Sequence, residues 1–453
     1  MTKRREFIKQ TLKGGAGVII GGIGFSAKSY AGIIGSNERI NVAVIGVRGQ
    51  GGTHISNWCK LKDNRNVYLK TLCDVDEGEW GKAAKAVVDQ SGITPTTEWD
   101  MHKVFADKDI HAVSFAVPNH WHALGTILAC QAGKHVYVEK PASHNIFEGR
   151  KMIEAARKYK VRVQVGFQNR SIANVREAMK FLHEGGIGDV YMARGLCYKP
   201  RASFGIAPDS EAPAGLHYDR WLGPAAWQPY NVKKTHYNWH WFWNTGNGDT
   251  GNQGPHQFDI ARWGLNKNEH PESVMSMGGI YGITPAECAQ ETPNTQTSVF
   301  KYKDGKVLEF ETRGRYTNAE SGIGIRIGNV FYGTDGYLEL DGGNWKAFRK
   351  EEKEPFATSK NEGAKTNDPT FLAPPGGTDH YANFIDAIRD GKDETLHCDI
   401  NEGFHSSALP LLANISYRLG RGLNWNGSTE KFIKDPAADA MLRREYRKGY
   451  VVS

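Results

Sequence analysis

The chain has 453 residues, 39% of them hydrophobic and 24% charged, with a mean hydropathy of −0.54; this ordinary globular composition excludes both intrinsic disorder and a membrane-embedded body. The net charge of +7 would suit a nucleic-acid partner if it were spread over a folded face, but Lys3, Arg4, Arg5, Lys9, Lys13 and Lys28 crowd into residues 1–31 beside Glu6 alone. The rest is nearly balanced, with 51 basic against 49 acidic residues, so no nucleic-acid partner is expected.

Lys3-Arg4-Arg5-Glu6-Phe7-Ile8-Lys9 precedes an uncharged, glycine-studded stretch over 14–27 and then Ser29-Tyr30-Ala31, with small residues at the −3 and −1 positions of a cleavage site. A basic region, a short apolar region and a cleavage site in that order predict an export signal over 1–31, because the apolar stretch is too short to span a bilayer as a helix. Paired arginines followed by Phe-Ile-Lys resemble the twin-arginine signal of proteins that fold, often around a cofactor, before crossing the membrane; Lys3 stands where Ser or Thr is usual. The expected location is the periplasm. A basic tail on a cytosolic protein and a retained membrane anchor are the alternatives, and no integral membrane body is expected. The six cysteines, Cys59, Cys73, Cys130, Cys197, Cys288 and Cys398, show no paired spacing, which fits folding in a reducing compartment and points to no metal.

From Ile40 short β-branched runs alternate with amphipathic stretches: strands are predicted over 40–45, 67–72, 112–117, 135–139 and 161–167, and helices over 81–89, 122–132 and 146–159. Continuous apolar strands alternating with helices predict a parallel sheet covered on both faces, an α/β doubly wound domain over 37–168. The first strand runs into Gly46-Val47-Arg48-Gly49-Gln50-Gly51-Gly52, where backbone N–H groups and a helix N-terminus can approach a pyrophosphate. Arg48 replaces the second glycine of the usual pattern, and Gly46, Arg48, Gly49, Gln50 and Gly51 are the cofactor-contact candidates. Asp74 ends the second strand 23 residues after Gly51, where a carboxylate hydrogen-bonds a ribose 2′-hydroxyl and repels a 2′-phosphate. NAD is the expected cofactor, with NADP left open by Arg48.

Val117-Pro118-Asn119-His120-Trp121-His122 and Ala132-Gly133-Lys134-His135-Val136-Tyr137-Val138-Glu139-Lys140-Pro141 follow. Together they resemble the Gfo/Idh/MocA family (glucose-fructose oxidoreductase, inositol dehydrogenase, MocA). The likeness runs through nearly the whole chain from Ile40, including 379–389, 399–421 and Arg443-Arg444-Glu445-Tyr446-Arg447-Lys448. It implies an N-terminal Rossmann domain, a C-terminal α/β domain with an open, mostly antiparallel sheet, a homo-oligomer, and a nicotinamide cofactor touched by Pro118, Asn119, His122, Glu139, Lys140 and Gln168. Lys140 falls at the carboxyl edge of the sheet, where ligands of open α/β folds bind. An ammonium there can hold a substrate hydroxyl and stabilise the alkoxide that develops as hydride leaves.

In the second half, strands are predicted over 190–198, 273–282, 298–303 and 307–311, the last two joined by the hairpin signal Asp304-Gly305. The boundary is expected near 166–170, which makes 169–453 a substrate and oligomerisation domain. Helices around 381–388 and 406–417 are expected to pack back against the body. Gln168, Asn169 and Arg170 either reach the nicotinamide side or form a plain loop.

Residues 245–259 resemble the family's glycine-rich loop leading into D-x-G-x-H-x-x-D, whose histidine falls on His256. An imidazole near its ordinary pKa of about 6.5 suits proton transfer at neutral pH, and His256 is the preferred acid/base. The first aspartate of the pattern falls on Asn252, which cannot support a histidine as a carboxylate would, so Asp259 or Asp249 is expected to take that role. Half of the twelve tryptophans lie between Trp221 and Trp263, interleaved with Tyr218, Tyr230, His236, Tyr237, His240 and Phe242. Aromatic faces beside hydrogen-bonding groups suit a sugar ring, so Trp239 and Trp241 are substrate candidates with Lys199, Arg201, Asp249 and His256. Alternatively these tryptophans alternate on a strand or fill the core, and the two basic residues are merely exposed.

Export separates an enzyme from the soluble nicotinamide pool, so a tightly bound cofactor is expected. The reading is an exported oxidoreductase that moves hydride between a sugar or glycoside CH–OH and NAD. A redox-neutral glycosidase, in which transient oxidation permits elimination of a glycosidic bond, is the alternative, with a non-catalytic sugar or nucleotide sensor as the third. Lys140 favours the oxidoreductase.

Overall fold

The structure is a computed structural model that describes residues 38–320, 322–341, 344–360 and 377–453; the predicted export signal over 1–31 lies outside them. Strand β1 (Ile40–Ile45) is an apolar run with nearly every residue buried, as a strand roofed by helices on both faces requires. With β2 (Val67–Cys73), β3 (Thr96–Glu98), β4 (Ala112–Phe115), β5 (His135–Val138) and β6 (Val163–Val165) it forms a six-stranded sheet in the order β3-β2-β1-β4-β5-β6. All the pairings are parallel. The order reverses between β1 and β4, and such a switch point opens a crevice outside the carboxyl ends of the strands. Helices α1 (Gln50–Lys60) and α2 (Asn119–Gln131) leave that crevice directly after β1 and β4. Helix α3 (Ile146–Tyr159) starts on a reciprocal cap: Asn145 Oδ1 accepts from the Glu148 amide, and the Glu148 carboxylate accepts from the His144 amide.

Several predicted strands end earlier than expected, among them 273–282, which ends at Gly279. The run over 112–117 ends at Phe115 because the chain turns at Pro118 into α2, and that over 161–167 ends at Val165 before a 3-10 turn at Gln168–Ser171.

The second sheet is built from β7 (Val190–Cys197), β8 (Ser273–Gly279), β9 (Thr295–Lys301), β10 (Val307–Arg313), β11 (Ile327–Gly333), β12 (Tyr337–Asp341), β13 (Asn344–Phe348), β14 (Ala357–Thr358), β15 (Leu423–Asn426) and β16 (Lys431–Phe432). Its order is β14-β13-β12-β11-β7-β10-β9-β8-β15-β16, antiparallel except where β10 runs parallel to β7. Asp304-Gly305 makes the predicted turn between β9 and β10, with Gly305 at φ +88°. Strands β11 to β14 extend the sheet beyond the predicted ones: β11 is a seven-residue run buried over its first five residues, without alternation, β12 alternates, and β12, β13 and β14 are short.

Helix α4 (Gly254–Gly264) packs against β7, β10 and β11, and α6 (Ile400–Leu419) packs against α4 and β8. Helix α5 (Gly377–Asp390) returns to the Rossmann sheet. There Tyr381 stacks on Tyr137 of β5 with centroids 4.5 Å apart and meets Trp58 of α1 edge-on at 4.8 Å. The late helices thus close the core of the first domain rather than standing apart from it. Among the described residues no helix is long and apolar enough to cross a membrane.

Candidate active site

A cleft of about 960 Å3 opens at the switch point and is lined from both domains. At its first wall, Gly46 has φ +84°, and a Cβ there would fall 2.4 Å from the Ala116 carbonyl oxygen; a Cβ on Gly51 would strike the Gly46 carbonyl at 2.0 Å. Only glycine lets the turn close this tightly. Gly49 (φ +55°) instead faces open space, and no side chain caps α1. The Gly51 and Gly52 amides turn back to the Arg48 and Gly49 carbonyls at 3.0 Å, and the uncapped amino end of the helix faces the cleft, where the pyrophosphate of a dinucleotide fits. Asp74 lines the cleft, but its two oxygens already accept from the Val47 amide (2.8 Å) and the Asp76 amide (3.0 Å). Burial pushes its carboxyl up to about 6, against those two hydrogen bonds. Remaining lone pairs on the same oxygens can take a ribose hydroxyl.

The other end of the cleft centres on Glu139. Its Oε1 accepts from Gln168 Nε2 (2.8 Å), His54 Nε2 (3.1 Å) and Gln50 Nε2 (3.2 Å). Although burial pushes this carboxyl up, the His54 hydrogen bond and the charges of His54, Lys140 and His256 hold it at about 2, so it stays ionised. Because the carboxylate only accepts, His54 donates through Nε2, and its Nδ1 is hydrogen-bonded with the Ser114 hydroxyl at 2.8 Å. The Lys140 ammonium donates to the backbone carbonyl of Asn252 at 2.8 Å. Burial lowers its pKa, partly offset by Glu139.

The predicted residues separate into two sets. Gly46, Arg48, Gly49, Gln50, Asp74, Pro118, Asn119, His122, Glu139, Lys140, Gln168, Trp239, Asn252 and His256 line the cleft, and Asn169 lines it beside Gln168. Gly51 does not; it is packed against Gly46. Lys199, Arg201, Trp241 and Asp249 are also absent from the lining. Arg201 and Asp249 form a two-pronged ion pair (2.8 and 2.6 Å), with the guanidinium 5.1 Å from the centre of the buried Trp241 ring. They make a scaffold behind the cleft, not its wall. Trp239 and Trp241 lie on a 3-10 helix, His236–Trp241, rather than on a strand.

His256 corrects two expectations. Neither Asp259 nor Asp249 supports it: Asp259 is taken by Arg170 Nε and Nη2 (2.8–3.0 Å) and by the Ser406 hydroxyl (2.6 Å), and Asp249 is taken by Arg201. The buried His256 Nδ1 has no hydrogen-bond partner among the described residues. Nor does its pKa stay near 6.5; burial, then the Lys140 charge, pushes it down to about 3. The expected loop at 168–170 is a 3-10 turn whose Arg170 turns away to Asp259 while Gln168 turns into the cleft.

Sequence reasoning missed His54 and Ser114 altogether and treated Tyr237 and His240 only as parts of an aromatic cluster. A histidine on the buried face of α1 and a serine inside the otherwise apolar β4 were the available signals. Among the described residues no group of three His, Cys, Asp or Glu side chains is arranged to hold a metal ion.

The pattern of an oxidoreductase family with an NAD-binding Rossmann fold matches residues 40–167, and that of the family's C-terminal alpha/beta domain matches 204–331 and 367–452. Levoglucosan dehydrogenase of Pseudarthrobacter phenanthrenivorans is 37% identical over 100 residues, 22% of this chain and 25% of that protein. A glycosyl hydrolase family 109 protein of Shewanella baltica is 27% identical over 170 residues, 34% of this chain and 36% of that protein. The aligned part thus spans about a quarter to a third of these curated relatives. A levoglucosan dehydrogenase structure in complex with NADH and levoglucosan superposes with a TM-score of 0.65 at 18% identity, covering 85% of this chain and 99% of that one, a likeness of fold.

Proposed function

The chain belongs to the Gfo/Idh/MocA oxidoreductase family, and we propose that it transfers hydride between a sugar or glycoside CH–OH and a tightly held NAD. The observation that carries this reading is Lys140, whose ammonium stands at the carboxyl edge of the Rossmann sheet, inside the cleft, anchored on the Asn252 carbonyl of the other domain. A bound nicotinamide supplies a hydride acceptor. The protein's own part is to hold the reacting oxygen: the Lys140 cation offsets the negative charge that grows on it as the carbon gives up hydride. Glu139, fixed in its ionised form, keeps Lys140 charged against the cost of burial. His256 stands in the same cleft as a neutral imidazole.

A carbohydrate suits the rest of the lining, where Trp99, Trp121, Trp221 and Trp239 offer apolar faces among amide and imidazole groups. The levoglucosan dehydrogenase relative supports the same substrate class. The family 109 relatives favour a second reading, a redox-neutral glycosidase that begins with the same oxidation.

Export by the twin-arginine route and a periplasmic location belong to this proposal and rest on the sequence of residues 1–31. So does a homo-oligomer, for which the exposed Met275, Met277 and Val299 on one face of β8 and β9 offer an apolar surface. The testing experiment mixes purified protein, without added cofactor, with simple glycosides and follows absorbance at 340 nm. A rise that stops near one equivalent and falls on addition of a carbonyl acceptor is expected. Aglycone release without a lasting rise would select the glycosidase instead.

A further inference from the structure

Four histidines line the cleft, and their hydrogen bonds distinguish them. His122 faces carbonyl oxygens at both ring nitrogens, those of Pro141 (2.7 Å) and Val117 (2.9 Å), so neither nitrogen is open to a ligand. His236 lies 3.5 Å from Asp76, and the charges acting on it are those of Arg48, Asp76 and Glu79 rather than Lys140. Among the described residues His256 Nδ1 has no hydrogen-bond partner to set the tautomer. His240 differs from all three. Its Nδ1 lies against the Tyr237 carbonyl; a carbonyl only accepts, so Nδ1 carries the proton and Nε2 is left as a lone-pair acceptor. No described residue is bonded to that Nε2.

The ring is held in place from several sides. Trp239 stacks on it with centroids 3.6 Å apart and planes 20° from parallel, and Tyr237 lies 4.9 Å away. A 3-10 helix has three residues per turn, which puts Tyr237 and His240 on one side of His236–Trp241. The turn opens on His236 at φ +51°, a left-handed conformation that is uncommon outside glycine and that clusters at functional sites. The Tyr237 hydroxyl accepts from Arg201 Nη1 at 2.9 Å, so its own O–H remains free to donate, and Arg201 is fixed in turn by Asp249. The Arg201–Asp249 pair behind the cleft therefore positions the Tyr237 hydroxyl. Burial, with the charges of Lys140 and Arg201, keeps the His240 imidazole neutral.

We propose that His240, not His256, is the group that takes the substrate hydroxyl proton, with Tyr237 donating a hydrogen bond to a neighbouring substrate oxygen. This assignment rests on the sugar-oxidation reading. In the step, the substrate C–H bond breaks and its electron pair leaves as hydride to the oxidised nicotinamide. The O–H bond breaks with its proton passing to Nε2, and the C=O bond forms while Lys140 holds the oxygen. Reduction of an acceptor carbonyl returns the same proton.

The test uses the protein as purified with its cofactor, a panel of methyl glycosides and rapid-mixing absorbance at 340 nm. His240→Ala is expected to slow the single turnover by about 100-fold or more, with unchanged cofactor content and a single cooperative unfolding transition, and added imidazole is expected to restore part of the rate. His256→Ala is expected to lose less. Nitrogen-15 spectra of the parent, assigned against His240→Ala, are expected to show the Nδ1–H tautomer at His240. An Nε2–H tautomer, a His240→Ala rate close to that of the parent, or a loss that imidazole does not touch would overturn the assignment. A parent that oxidises nothing in the panel fails the oxidoreductase reading, and this assignment with it, whatever the tautomer.

Discussion

Glu139 at the end of β5 and Asp259 in α4 are both buried carboxylates, and both act on His256 through their charge, yet the regions around them are built for different ends. Glu139 is surrounded by amide and imidazole donors and has its one full cation, Lys140, as its chain neighbour, directed elsewhere. Asp259 is locked to Arg170 by a two-pronged ion pair and to Ser406 across the domain. A carboxylate whose lone pairs are filled by a guanidinium has nothing left with which to orient a histidine. One held by single amide and imidazole N–H groups keeps its charge available to the cleft. Sequence proximity to a catalytic candidate therefore says little about which carboxylate serves it.

The largest effect should appear at the cleft. Lys140→Ala is expected to slow the 340 nm single turnover by about 1000-fold while cofactor content stays that of the parent; an unchanged rate would remove the Glu139 region from the chemistry.

Asp259→Ala should separate the regions in the other direction. Leaving the buried Arg170 with Glu402, 3.3 Å from its Nη2, in place of the two-pronged pair is expected to cost about 3 kcal/mol in urea unfolding, against about 1–2 kcal/mol for Glu139→Gln, whose hydrogen-bond donors are amide and imidazole N–H groups. The reverse order of costs would break the comparison.

Acid titration sharpens it further. Glu139 is held at about 2, below the ordinary glutamate value of 4.5, so the unfolded chain binds the proton first as pH falls. Its contribution to stability is complete above about 4.5 and fades as pH drops toward 2. The loss between pH 5 and 2 should be shallower in Glu139→Gln; an identical slope in both proteins would show that this carboxylate is not held low by its neighbours.

Ser406→Ala should have the smallest effect, about 1 kcal/mol, because Arg170 still neutralises Asp259, and Arg262, which donates to this hydroxyl through Nε, keeps Glu402 and the Lys267 carbonyl. A cost as large as that of Asp259→Ala would mean that the hydroxyl, not the guanidinium, holds the carboxylate.

Much of the first wall was legible in the sequence. Gly46 and Gly49 announce a turn that only glycine can make, Asp74 stands at the end of the next strand, and Glu139-Lys140-Pro141 closes a later one. The reason is local: strand, turn and helix follow one another in the chain, so backbone geometry and residue order place these groups together. The second wall was legible only as a composition of aromatics and histidines. Which of Trp239 and Trp241 faces the cleft depends on a 3-10 turn instead of a strand, and that changes which side chains share a face.

The sequence by itself determined the alternation that builds the parallel sheet, the glycine turn at its switch point, the family and the presence of Lys140 at the sheet edge. All of these follow from periodicity or from residues within one β–turn–α unit. Only the tertiary structure decided that Asp259 belongs to Arg170, that Asp249 belongs to Arg201, that His54 and Ser114 support Glu139, and that His240 is the imidazole with a defined tautomer. A buried charge or ring nitrogen is governed by whichever partner the fold brings within about 3 Å, and partners such as Ser406, 147 residues from Asp259, leave no trace in local sequence.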